Sequence, residues 1–175
     1  VWLGNQAAQD VEAVQLQCLI QEIARLTKGS FGVIGEAANS VGGYVARAVP
    51  QSDIGGKNVQ QMVSQGLKAC VLLGVEPEYD MGDSVKSVAT LKGAETVVVM
   101  SAFKSRSALD FADVMLPIAP FTETSGTYVN TEGRAQSFYS VVKNAGDSRP
   151  GWKVLRVLGS MVGIDGFEFE RSEEH

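Results

Sequence analysis

The 175-residue chain predicts an α/β fold with a mostly parallel sheet flanked by helices. Two observations carry this expectation. Ala69–Leu73 and Thr96–Met100 are short, continuously apolar runs, as strands of a parallel sheet covered on both faces require. Around them lie stretches with apolar residues at helical spacing, and the alternation of strand and helix is the pattern of βαβ units.

The elements follow in order. Val1–Gly4 reads as a short strand turned out by Gly4-Asn5. A helix from about Asp10 to Lys28 follows, with Asp10 as its cap. Leu16, Leu19, Ile20 and Ile23 lie at i, i+3, i+4 and i+7 and are expected on one buried stripe. Lys28-Gly29 suits the helix end, and Phe31–Ile34 is the second strand. Gly35–Gly43 reads as a small-residue loop. It lacks the Gly-x-Gly-x-x-Gly spacing of a dinucleotide fingerprint, and Gly55-Gly56-Lys57 lacks the upstream glycine of a phosphate loop.

Val59, Met62, Val63 and Leu67 mark a short helix before Ala69–Leu73, which is expected at the centre of the sheet. Gly74-Val-Glu76-Pro77 turns the chain at that strand's carboxyl end. A helix over Asp83–Leu91 and the Thr96–Met100 strand come next. Lys104 and Arg106 then read either as exposed loop cations or as partners for a phosphate. The strand beginning at Asp113 is stopped by Pro117, which donates no ladder hydrogen bond. Ala135–Val142 is an extended or edge segment, and 144–151 is a turn cluster. The last helix starts near Trp152 with Val154, Val157, Leu158 and Met161 at helical spacing, Trp152 being a packing anchor.

One domain over residues 1–165 is expected, followed by a frayed acidic tail over 166–175. A chain that opens directly in a strand, with no initiator Met, is expected to be a piece of a longer polypeptide. A formal charge of −5 and a pI near 4.9 argue against a nucleic-acid or acidic-lipid surface. No apolar run approaches the ~20 residues of a membrane span. Cys18 and Cys70 read as buried small hydrophobes of a reducing compartment. His175 is the only histidine and there is no Cys-x-x-Cys pair, so no metal or catalytic residue is expected.

The densest polar stretch is Glu123-Thr-Ser-Gly126-Thr127-Tyr-Val-Asn130-Thr-Glu-Gly133-Arg134-Ala-Gln136, directly beyond Pro117. Gly126 and Gly133 are placed to take positive φ. From the residues alone, two readings stand. The stretch is a surface connection whose side chains tie up their own backbone, or a ligand loop beyond the carboxyl end of a strand.

The run Asp113-Val-x-Leu-Pro117, five residues, Glu123-x-x-Gly-Thr-x-x-Asn130-Thr-Glu-Gly-Arg134-x-Gln136 resembles the molybdopterin oxidoreductase superfamily. Within it, the run resembles most the large iron–sulfur subunit of respiratory complex I, as does Arg149-Pro-Gly-Trp152 through Leu158. This resemblance implies a Rossmann-like domain. The subunit passes electrons from NADH toward quinone as part of an NADH:quinone oxidoreductase translocase, its iron–sulfur clusters lying in the rest of the chain.

The segment itself is then expected to hold no cofactor, to perform no catalysis and to serve as a scaffold. Its partners are the other hydrophilic-arm subunits and the N-terminal part of its own chain. The place implied is the cytoplasmic side of the bacterial inner membrane, peripherally. Glu123, Asn130 and Arg134 are expected to fix the loop through hydrogen bonds or an ion pair. Glu76 stands where the superfamily often has the Asn of Gly-x-Asn-Pro, and a carboxylate there opposes a phosphate-bearing cofactor.

The alternative implied is the cofactor-binding part of an active molybdopterin oxidoreductase of formate dehydrogenase or nitrate reductase type. Glu123, Gly126, Thr127, Asn130, Arg134 and Gln136 would then meet the pterin or its nucleotide. A nicotinamide-binding module is the remaining class, disfavoured by the missing glycine fingerprint.

Overall fold

The computed structural model describes residues 1–8 and 10–170. Its strands are β1 (Trp2–Leu3), β2 (Gly32–Val33), β3 (Ala69–Leu73), β4 (Thr96–Ser101), β5 (Val114–Pro117), β6 (Gly126–Val129) and β7 (Ala135–Phe138). The helices are α1 (Asn5–Ala8), α2 (Ala13–Leu26), α3 (Ser40–Val45), α4 (Val59–Gln65), α5 (Pro77–Asp80), α6 (Ser84–Lys92), α7 (Arg106–Leu109) and α8 (Gly151–Met161). The class is α/β, as expected. The chain forms two compact units, Val1–Val49 with Thr127–Ser137, and Pro50–Gly126 with the residues from Phe138 onward.

In the first unit β1 and β2 pair in parallel, Trp2 opposite Gly32 and Leu3 opposite Val33. The α2 cap differs from the expectation. The Asp10 carboxylate accepts the Glu12 amide at 2.8 Å, turning the chain early, and α2 begins after Glu12 without a side-chain cap. At the other end Lys28 takes φ 52, and the Gly29 amide closes onto the Ala24 carbonyl at 2.8 Å. The expected buried stripe is not closed: Leu19 is 62% and Ile23 49% exposed, and Ala24 is the buried residue. Geometry supplies the reason. A helix of fourteen residues runs about 21 Å, whereas a two-residue strand covers about 7 Å. Cys18 is likewise exposed, not buried. Part of the predicted 35–43 loop is helix, since α3 starts at Ser40.

The second unit holds the main sheet, three parallel strands in the order β3-β4-β5. The central strand is β4, where Val97, Val99 and Met100 are buried. The expectation for β3 is therefore corrected: it is an edge strand of this sheet, with Val71 51% exposed. Its continuous apolar run matched the pattern of a central strand, but pairing was decided by what else the unit could offer. The core joins Leu72, Leu91, Val97, Val99, Ala108 and Phe111.

Local signals explain the helices around this sheet. Asn58 and Gln61 form a reciprocal capping box at α4, and the Asp83 carboxylate accepts the Lys86 amide at 2.9 Å to start α6. Asp113 clamps the entry to β5. Its amide donates to the Val97 carbonyl at 2.9 Å while its carboxylate accepts the Val97 amide at 2.7 Å. Beyond Pro117, Ile118 forms a parallel bridge with Arg149, and the Ala119 amide donates to the Arg149 carbonyl at 2.8 Å. This places the start of α8 beside the sheet, Gly151 lying against Leu73 and Ile118. Of the tail expected over 166–175, residues 166–170 are described. There Phe167 lies over Gly159, and the Phe169 ring centroid is 6.1 Å from that of Trp152. Residues 171–175 fall outside the described ones.

Candidate functional site

The predicted loop leaves β5 through Pro120 into a 3-10 turn over Phe121–Glu123. Here Glu123 acts as a staple. Its carboxylate accepts the Ala145 amide at 2.9 Å, and its carbonyl accepts from the Asn144 side chain at 3.2 Å. The Thr122 carbonyl accepts the Val141 amide at 2.8 Å, and the Ser125 hydroxyl accepts the Ser140 amide at 3.3 Å. The turn thus binds a segment some twenty residues downstream within the second unit.

After Gly126 the chain enters β6, which pairs with β7. The five residues between them are far too few for a parallel crossover, so the pair is a hairpin. Asn130 organises its tip: one side-chain oxygen accepts the Glu132 amide at 3.0 Å and the Arg134 amide at 2.9 Å. Gly133 takes φ +80, as expected at this turn. Gly126 does not take positive φ; its role is close approach, because a Cβ there would meet Phe138 Cζ at 2.9 Å. Thr127 Oγ1 lies 2.9 Å from Ser137 Oγ across the hairpin. The Val129 amide donates to Asn39 Oδ1 at 2.8 Å, inside the first unit.

The expected fixing of the loop through hydrogen bonds holds for Glu123, Asn130 and Arg134, the last through its backbone, whose amide donates to Asn130 Oδ1 at 2.9 Å and whose carbonyl accepts the Asn130 amide at 3.1 Å. Ion pairs among the described residues are Arg25–Glu22 and Lys92–Asp110, and the exposed Arg134 is in neither. Gln136 is also exposed on β7. Glu123 and Gly126 belong to the second unit, Thr127, Asn130, Arg134 and Gln136 to the first.

Two further features lie at the carboxyl ends of the main sheet's strands. Beyond β3, Gly74 takes φ +64, and Glu76, Glu78 and Asp80 follow within five residues. The Glu76 amide donates to the Asp80 carboxylate at 2.7 Å, and Glu78 Oε2 is buried without a hydrogen-bond partner among the described residues. None of the three carboxylates is in either ion pair among the described residues. Beyond β4 and β5 a cavity of about 260 Å3 is lined by Ser101, Phe103, Lys104, Met115, Leu116 and Pro117. Lys104 is its one cation among the described residues; Arg106 starts α7. In the first unit a larger, apolar cavity of about 670 Å3 has Trp2, Phe31 and Tyr44 in its wall, with Thr131 and Glu132 of the hairpin tip.

Sequence comparison decides the family. The molybdopterin oxidoreductase pattern matches residues 3–161, nearly the whole chain. The chain belongs to the molybdopterin oxidoreductase family. It is 38% identical over 77 residues to "Putative formate dehydrogenase SAB2186c" of Staphylococcus aureus, which covers 44% of this chain and 8% of that protein. It is 33% identical over 105 residues to "Probable oxidoreductase YjgC" of Bacillus subtilis, covering 60% of this chain and 11% of that protein. The chain therefore matches about a tenth of the length of these molybdopterin oxidoreductase relatives. Among the described residues no helix is long and apolar enough to cross a membrane.

Sequence reasoning missed the Asp113–Val97 clamp, the Asn39–Val129 bond and the Glu123–Ala145 staple. Asp113 and Glu123 were visible as motif positions, but nothing local marks a partner 16 or 22 residues away.

Proposed function

We propose that this chain is part of the large iron–sulfur subunit of respiratory complex I and serves there as a cofactor-free scaffold. The supporting observation is where the motif's polar side chains go. The Glu123 carboxylate accepts the Ala145 amide, Asn130 Oδ1 accepts the amides of Glu132 and Arg134, and Thr127 Oγ1 lies against Ser137 Oγ, so these groups are committed within the chain and those backbone amides are not offered to an anionic ligand. The exit of β3 points the same way. Three carboxylates without a paired cation among the described residues repel the phosphates of a pterin nucleotide, so the residues there do not fit that cofactor.

On this reading electron transfer belongs to clusters elsewhere in the parent subunit. The segment's work is to hold its neighbours: the N-terminal part of its own chain and other hydrophilic-arm subunits on the cytoplasmic face of the membrane. The open apolar side of α2, with Leu19 and Ile23 about half exposed, suits such contacts.

A second reading is favoured by the names of the relatives, one given as a formate dehydrogenase. In an active molybdopterin oxidoreductase, Arg134 and Gln136 would be the motif's donors left for the cofactor.

Metal and pterin analysis of the full-length parent, purified without added cofactor, separates the two. Iron without molybdenum, tungsten or pterin is the expected result. Stoichiometric molybdenum or tungsten with pterin would overturn the scaffold proposal in favour of the second reading.

A further inference from the structure

The second unit contains a cavity of about 170 Å3 bounded by α4, β3 and α6, with Val75 and Met81 from the exit of β3 also in its wall. Met62, Val63, Cys70, Leu72, Met81 and Leu91 form much of its wall, and among the described residues no Lys, Arg, Asp or Glu lines it. The two hydroxyls in the wall are already committed. Ser87 Oγ donates to the Asp83 carbonyl at 2.7 Å; Thr90 Oγ1 lies 2.9 Å from the Lys86 carbonyl and 3.1 Å from that of Val63. Burial pushes the Cys70 thiol up, which keeps it uncharged at neutral pH.

Such a space is poor for water, which needs about 2–4 polar partners. Its size matches that of dry apolar cavities, roughly 150 Å3, that take up benzene or xenon. The flexible, polarisable side chains of Met62 and Met81 can close around an irregular guest. Access is available at the rim, where Val59 is 52% exposed and Val71 is about half exposed.

We infer that this cavity is a binding site for an uncharged apolar molecule of about benzene's size, held by dispersion contacts without hydrogen bonds. The site lies wholly in the second unit and is independent of the redox reading above.

The two cysteines provide the test without any substitution. Cys70 lines the cavity, and Cys18 is exposed on α2. The full chain is treated with methyl methanethiosulfonate, an uncharged thiol reagent, with and without benzene, and each thiol is followed by peptide mass spectrometry. At a benzene concentration ten times its dissociation constant, Cys70 modification is expected to slow about tenfold, by mass action, while Cys18 is unchanged. An unchanged Cys70 rate at benzene saturation, or equal slowing of both thiols, overturns the inference.

Discussion

The Glu123 carboxylate accepts the Ala145 backbone amide at 2.9 Å, joining the turn after β5 to a segment 22 residues later. This bond makes the motif's Glu123 a structural staple. Replacing Glu123 by Ala removes the acceptor and leaves that amide to solvent. A loss of about 1 kcal/mol in urea unfolding is expected, with faster proteolytic nicking between residues 139 and 148. Unaltered nicking there would show that the staple does not order the segment.

Arg134 behaves oppositely. It is exposed and makes no ion pair among the described residues, so Arg134→Ala should alter stability by no more than about 0.5 kcal/mol. A drop well beyond that would reveal a partner for the guanidinium.

At Gly126 the constraint is space. An added Cβ would stand 2.9 Å from Phe138 Cζ, so Gly126→Ala is expected to destabilise by about 1–3 kcal/mol. The double variant with Phe138→Leu should recover part of that loss. Thermal unfolding of the three chains tests this, and a double variant weaker than the sum of the two single changes would assign the cost to something other than the ring.

Cys70 predicts a pH dependence. Burial raises its thiol pKa above the ordinary value, so in alkaline solution the folded chain keeps a proton that the unfolded chain has lost. The associated stability is complete below the ordinary thiol pKa. It falls as pH rises from there through the folded value. Cys70→Val should therefore flatten the alkaline limb of Tm against pH relative to the parent chain. Parallel curves would remove Cys70 as the cause.

Much of this fold is legible in the sequence. The apolar runs at 69–73 and 96–100 announced β3 and β4, and Pro117 marked the end of β5. Asp83 marked the start of α6 through a bond only three residues long. α3 was hidden because Ser40–Val45 carries two glycines, which weaken helix propensity, and the helix forms nonetheless. β7 was legible as the extended segment beginning at Ala135, whereas β6 was hidden because it is short and lies in a run of polar residues such as Thr127.

What the sequence determined by itself was local: the α/β class, most element positions, the family motif, and turns such as the one at Gly133. These rest on residue chemistry within a few positions along the chain. Tertiary structure alone decided that β3 is an edge strand of its sheet, that the α2 stripe stays open, and that Glu123 reaches Ala145. Those outcomes depend on which surfaces are available to pair or cover one another, and side-chain periodicity along one element says nothing about the area its neighbours can supply.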